Sequence, residues 1–160
     1  MVTVKEIMTT ELYTLRPEDT LQDAHLLMTE KHIRHIPIVD GLGQLVGLVS
    51  QRDVLAATMS ELLGFDESEK RRFENNVRLD EVMKEELYTV DEHADVRKAA
   101  IYLQEHHFGC LPVVSNGELN GIVTDADFVN VAVNLLEQTE AIEPAAGPED
   151  DFGEEFNDGD

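Results

Sequence analysis

The sequence repeats itself once, with an offset of 75 residues. Residues 11–14 (ELYT) return as residues 86–89, and Pro37 returns as Pro112. A one-residue gap in a glycine-rich turn then lowers the offset to 74, so that Asp53 corresponds to Asp127. Self-similarity at one long period predicts two copies of one folding unit. A unit of this size buries too little apolar surface to be stable alone, so we expect the copies to pack on each other with pseudo-two-fold symmetry.

Each copy has the predicted element order β-α-β-β-α. This order predicts a mixed α/β (α+β) fold with two such units. In the first copy we expect a short strand at residues 13–15, a helix from Leu21 to about Lys31 capped by Thr20, and strands at 36–39 and 45–49. Asp95 takes the cap position in the second copy, and both prolines should lie at the start or edge of their strands. The positions expected to be buried are Leu21, Ala24, Leu27, Met28, Val54, Leu55 and Leu62, and then Val96, Ala99, Leu103, Phe128, Val129, Ala132 and Leu136.

The boundaries follow from the repeat. We predict a first unit at residues 1–63, a helical linker at 64–78, a second unit at 79–136 and an acidic, disordered tail at 137–160. In the linker, Asp66 with Lys70 and Glu67 with Arg71 have the spacing of helical ion pairs. The basic run at 70–72 is interpreted as a solvated helix face.

A hydroxyl and a carboxylate recur three residues apart where a strand meets a helix, at residues 50–53 (SQRD) and 124–127 (TDAD). A helix start presents free backbone N–H groups and a partial positive charge, which suit a phosphate. The nearby Asp can accept hydrogen bonds from a sugar diol. The same pattern is also a capping box, in which hydroxyl and acid satisfy the helix's own amides. The residues alone leave both interpretations open.

The repeat, the proline-centred strand (residues 33–40 and 108–114) and the closing Gly-x-x-Ser/Thr-x-x-Asp resemble the CBS domain, in a tandem pair also called a Bateman module. The resemblance covers roughly residues 4–136. It implies a regulatory module that binds an adenosyl compound (AMP, ADP, ATP or S-adenosylmethionine) in clefts between the units. It also implies a disc-like homodimer that acts on a separate, unidentified protein.

The resemblance also implies the site residues. One site would comprise Thr124, Asp127, the backbone around Tyr13 and Thr14, and Arg34 with His35. The other would comprise Ser50, Asp53, the backbone around Tyr88 and Thr89, and Gly109 with Cys110. Because Arg34 and His35 can carry charge and Gly109 and Cys110 cannot, we expect the Asp127 site to prefer a phosphate. Arg52, beside Asp53, would reverse this preference if its side chain turned into the cleft.

Charge and composition exclude several partners. The net charge is −22, and ten acids with no Lys or Arg lie in residues 137–160, so nucleic acid is not expected as a partner. No segment has the pattern of a signal peptide or a membrane span. The single cysteine, Cys110, is interpreted as an inert core thiol in a reducing, cytoplasmic setting.

Three functional hypotheses remain. The first is the non-catalytic adenosyl-ligand sensor, which requires no further cofactor. The second is an interaction or dimerisation scaffold whose clefts bind nothing. The third, an enzyme, lacks a recognisable catalytic set. A metal at His32 and His35, or at His106 and His107, lacks an obvious completing ligand, so no metal site is predicted.

Overall fold

The computed structural model describes residues 1–61, 64 and 66–142, and it contains the two predicted units. The first has helix α2 (Leu21–Lys31), strands β1 (His35–Val39) and β2 (Leu45–Ser50), and helix α3 (Gln51–Glu61). The second has α5 (Val96–His106), β3 (Cys110–Ser115), β4 (Glu118–Thr124) and α6 (Asp125–Ile142). A short helix α1 (Val4–Ile7) precedes them, and α4 (Glu67–Asn76) with a 3₁₀ turn at Leu79–Glu81 joins them. The mixed helix and strand content confirms the predicted fold class.

Each unit is built on an antiparallel hairpin, β1 with β2 and β3 with β4. The short strand expected before each first helix is reduced to one bridging residue, Leu15 beside Ile38 and Val90 beside Val113. Pro37 lies mid-strand and not at the strand start, but β1 is an edge strand of its two-stranded sheet, which is the other predicted position. The Pro37 carbonyl accepts from Leu15 N at 3.2 Å, so its missing N–H faces this short edge, where little pairing is lost.

The helix caps follow the predicted pattern. Thr20 Oγ1 accepts from Asp23 N at 3.2 Å, and the Asp95 side chain accepts from Arg97 N. The helices that they begin end at His32 and His107, whose φ values of 55° and 56° are left-handed. The two equivalent histidines are therefore C-caps of equivalent helices.

Asp66 is the N-cap of the linker helix α4, and its side chain accepts from Glu69 N at 2.8 Å. Lys70 pairs with Glu67 at 3.6 Å instead of with Asp66, because Asp66 is used as the cap. The predicted pairing of these residues was therefore wrong. The run at 70–72 lies on this helix, with Arg71 and Arg72 exposed.

The segments before the two units are exchanged. Residues 2–9 pack on the second unit: Val4 is fully buried in its core, and Thr9 pairs with Ile122 of β4. Residues 77–84 pack on the first unit, where Leu79 is buried and Lys84 pairs with Leu48 of β2. Neither core is closed by its own stretch of sequence alone, which ties the two halves into one structure.

The glycine of each closing motif permits this exchange. A Cβ on Gly121 would lie 2.7 Å from Met8 Sδ and 2.9 Å from the Thr9 carbonyl oxygen. A Cβ on Gly47 would overlap the side chain of Met83, the equivalent of Met8. Each crossing segment (residues 2–9 at β4 and residues 77–84 at β2) therefore approaches its strand at a glycine, where no side chain obstructs it.

The cores contain most, but not all, of the predicted positions. Leu21, Ala24, Met28 and Val54 are buried in the first unit, and Ala99 and Leu103 in the second. Several residues of α3 and α6 were wrongly expected inside: Leu55, Val129, Ala132 and Leu136 are exposed. Helices α3 and α6 thus each retain an uncovered apolar face. Residues 137–142, which we expected to be the start of a disordered tail, are the last residues of α6, so that part of the prediction was wrong. Leu62 and residues 143–160 lie outside the described residues.

Candidate functional site

The first tetrad forms a reciprocal cap at the start of α3. Ser50 Oγ accepts from Asp53 N at 3.1 Å, and Asp53 Oδ2 accepts from Ser50 N at 2.9 Å. One Asp53 oxygen is therefore used as the capping alternative expects. Within the described residues, the other oxygen, Oδ1, accepts no hydrogen bond and remains available.

The second tetrad is more fully engaged. Asp127 Oδ2 accepts from Thr124 N at 2.8 Å and from Thr124 Oγ1 at 3.3 Å. Asp127 Oδ1 accepts from Thr9 Oγ1 at 2.9 Å, across 118 residues of chain. Both carboxylate oxygens are satisfied by the protein itself.

A cleft of about 780 Å³ runs between the two units and contains the starts of α3 and α6. Asp53 lines it, whereas Asp127 does not, although its neighbours Thr124, Asp125 and Ala126 do. The predicted site residues that the cleft brings together are Arg34, His35, Ser50, Arg52, Asp53, Tyr88, Gly109, Cys110 and Thr124.

Four predicted residues lie elsewhere. Asp127 is held by Thr9, and Thr14 is exposed outside the cleft. The Tyr13 hydroxyl donates to Glu11 at 2.8 Å, and Lys31 Nζ lies 5.3 Å from the ring centroid. Thr89 lines a separate depression of about 380 Å³. Their ligand roles stay predictions.

Three cations line the cleft: Arg34, Arg52 and Lys84. None forms an ion pair with any residue in the described part of the chain. The lining carboxylates are also three, Asp53, Glu86 and Asp125, whereas the whole chain has 12 Lys and Arg against 34 Asp and Glu. The cleft is therefore much less negative than the rest of the surface, which favours an anion there over other places.

Sequence reasoning missed Lys84. It lies 75 residues after Thr9, so the repeat contained the signal that the two are equivalent. Arg34 and His35 line the same cleft as both Asp53 and Thr124, so the expected division of charges between two sites stays a prediction.

His35 lines the cleft, where its ring lies against Gly109 of the second unit. Burial lowers the pKa of its imidazole, Arg34 and Lys84 lower it further, and Asp125 and Asp53 act in the opposite direction. A neutral ring can accept or donate one hydrogen bond, and an anionic ligand would favour its protonated form.

Cys110 lines the cleft close to His35 but is only 5% exposed. Burial raises the pKa of its thiol to about 12, and Asp127 and Asp125 add to the rise. The thiol is therefore neutral and unreactive, as the sequence predicts for a core cysteine.

An aromatic cluster forms one wall. Tyr88 and Phe108 stack with centroids 4.8 Å apart, and Tyr102 and His106 pack beside them. Tyr88 is 48% exposed and lines the cleft together with Phe108, so an aromatic side chain is available in the cleft that Asp53 lines. Such a face can stack on a planar base.

No group of three or more His, Cys, Asp or Glu side chains in the described ranges is arranged to hold a metal ion. Likewise, none of the described helices is long and apolar enough to cross a membrane.

The chain matches known proteins along most of its length. The model of the CBS domain matches residues 4–60 and again 79–134. A CBS domain-containing protein of Dictyostelium discoideum is 31% identical over 140 residues, which cover 85% of this chain and 94% of that protein.

Solved structures agree. A Vibrio cholerae protein named for acetoin utilization (AcuB) is 44% identical with a TM-score of 0.77, over 88% of this chain and 98% of that one. The structure of CBSX2 in complex with AMP is 29% identical with a TM-score of 0.71, over 85% of this chain and 99% of that one. Two complete matches to one family model, in the order of the repeat, show that the chain belongs to the CBS domain family.

Proposed function

We propose that this CBS domain pair is a regulatory, non-catalytic module that binds one adenine nucleotide (AMP, ADP or ATP) in the cleft at Asp53. The observation that carries the proposal is that Asp53 Oδ1 is available in one cleft with three cations that form no ion pair with any described residue. The similarity to CBSX2, which was solved with AMP, supports this ligand class.

The cleft chemistry fits the parts of a nucleotide. Asp53 Oδ1 accepts from ribose hydroxyls, and Tyr88 offers its face to the base. The phosphate faces Arg34, Arg52 and Lys84 near the start of α3, where charge-assisted hydrogen bonds and the helix terminus both favour an anion. S-adenosylmethionine, which carries a cationic sulfonium and no phosphate, fits these cations less well.

Regulation follows if the ligand prefers one arrangement of the two units. Because segments 2–9 and 77–84 cross between units, a ligand in the cleft between them bears on both cores. Its effect on a partner is limited by its differential affinity for the two arrangements.

A homodimer is proposed from the uncovered faces of α3 and α6. Val129, Val133 and Leu136 recur at one-turn intervals on α6, and Leu55 and Met59 do so on α3, all of them exposed. A second copy of the chain, with the same apolar faces, would cover them.

The test is a binding panel of AMP, ADP, ATP, NAD and S-adenosylmethionine, by calorimetry and thermal shift. A nucleotide at 100 times its Kd should add about 2.7 kcal/mol of stability. Asp53→Asn should abolish binding, because its amide can offer an oxygen to only one of Ser50 N and the ligand. Asp127→Asn is the matched control and should bind as the wild type does.

Two results would contradict the proposal. Loss of binding in Asp127→Asn with retention in Asp53→Asn would move the site to the other half. No thermal shift with any compound would favour the second candidate, a ligand-free dimerisation scaffold. The Ser50–Asp53 cap and the exposed apolar faces of α3 and α6 support that candidate.

A further inference from the structure

Thr9 and Lys84 occupy equivalent places in the two halves. Thr9 exchanges backbone hydrogen bonds with Ile122, at 2.8 and 3.0 Å. Lys84 exchanges backbone hydrogen bonds with Leu48, both at 3.0 Å. Each therefore stands beside the strand that leads into one of the two acids, Thr9 toward Asp127 and Lys84 toward Asp53.

The side chains of Thr9 and Lys84 differ in their contacts with the adjacent acids, Asp127 and Asp53. Thr9 Oγ1 donates to Asp127 Oδ1 at 2.9 Å in a partly buried setting. Lys84 is exposed, lines the cleft, and forms no ion pair with Asp53. One acid is thus closed by a hydroxyl from the crossing segment, and its equivalent is left open next to a cation.

We propose that Thr9 is the residue that restricts the pair to one nucleotide per chain, by holding the Asp127 oxygen that a second ligand would need. This inference rests on the proposed function, since it concerns where the same ligand class can bind.

The hydroxyl of Thr9 is hard to displace. The Thr9 backbone is held by two hydrogen bonds to Ile122, and it approaches Gly121 so closely that a Cβ on Gly121 would lie 2.9 Å from the Thr9 carbonyl oxygen. An intramolecular donor held in place competes with a ribose hydroxyl at a high effective concentration. A ligand at Asp127 must therefore break a formed hydrogen bond, whereas one at Asp53 need not.

The Lys84 position shows what the alternative residue provides. A lysine is too long and too flexible to cap the adjacent acid as Thr9 does, and its ammonium adds positive charge where a phosphate would lie. The difference between the halves therefore changes both the availability of the acid and the local charge.

The test is the stoichiometry of AMP binding by calorimetry. The wild type should bind one AMP per chain. Thr9→Val keeps the shape and the strand preference but removes the donor, and it should bind two. Thr9→Ser retains the donor and should bind one, as should Thr10→Val, in which an exposed neighbour is changed in the same way.

Two further variants check the mechanism. Thr9→Val combined with Asp127→Asn should return the count to one. Lys84→Thr places a hydroxyl donor beside Asp53 and removes a cation, so its AMP affinity should fall at least about tenfold, or about 1.4 kcal/mol. Urea midpoints show whether each variant folds, and Thr9→Ala serves in place of Thr9→Val if that variant does not.

The outcomes separate the two proposals. One AMP in both the wild type and Thr9→Val overturns the role of Thr9 but leaves the proposed function standing. Two AMP in the wild type also overturns the role of Thr9. No binding of AMP, ADP or ATP to either protein overturns both proposals. No AMP in the wild type and one in Thr9→Val supports the restriction by Thr9 but moves the ligand away from Asp53.

Discussion

The imidazole of His35 packs directly on Gly109, so that a Cβ built on Gly109 would lie 3.0 Å from both Cε1 and Nε2 of the ring. The two residues come from different units, and both line the cleft. Because Gly109 has no side chain, the ring of His35 can occupy this position.

Gly109→Ala should therefore push His35 from its place. We expect a loss of stability on the order of 1 kcal/mol from the overpacking and weaker AMP binding, because the displaced ring alters the cleft. Gly41→Ala is the control: its Cβ would meet Arg16 Nη1 at an ordinary 3.5 Å. Urea unfolding and AMP titration of both variants provide the check, and equal behaviour of the two would contradict the contact.

Stability should depend on pH through His35. Because burial lowers the pKa of His35 in the folded protein, the unfolded chain binds the proton first as the pH falls. The stability that a neutral His35 contributes is complete above the ordinary histidine pKa of about 6.5 and is lost as the pH falls through that value toward the lower folded pKa.

Urea unfolding of the wild type and His35→Gln at about pH 7.5 and about pH 5.5 measures this linkage. The wild type should lose more stability than the variant over that interval. Parallel losses in the two proteins would show that other groups account for the acid sensitivity.

Thr20→Ala should cost about 1 kcal/mol of stability, as other N-cap replacements do. It removes the oxygen that accepts from Asp23 N at 3.2 Å at the start of α2. Thr29→Ala, within the same helix, is the matched control. Thr29 only donates back to the His25 carbonyl at 2.9 Å, and alanine is the better helix former, so its midpoint should stay or rise.

Leu136→Glu or Val133→Glu should convert the proposed dimer to monomers. Both side chains lie on the apolar face of α6, 64% and 46% exposed, and a carboxylate buried there between two copies has no partner. Light scattering after gel filtration gives the mass. Leu42→Glu, at a turn residue that is 86% exposed, should leave the mass unchanged. A monomeric wild type would remove the dimer from the proposal.

The structural features that could be predicted are those set by residues close to one another in the sequence. The caps at Thr20 and Asp95 and the two hairpins with their glycine-rich turns came from local patterns that the structure reproduces. Backbone hydrogen bonds and capping depend on a few neighbouring residues, so spacing alone reveals them.

The amino-acid sequence by itself determined that the chain is a duplicated CBS-type fold with an acid closing each half. Only the tertiary structure decided that Thr9 reaches Asp127 while Lys84 leaves Asp53 open, and that Arg34 and His35 share the cleft with Asp53. The reason is physical: segment 2–9 crosses to the second unit, where Thr9 contacts Asp127 118 positions away, and segment 77–84 crosses back to the first unit, where Lys84 pairs with Leu48. Spacing along the chain carries no record of such contacts.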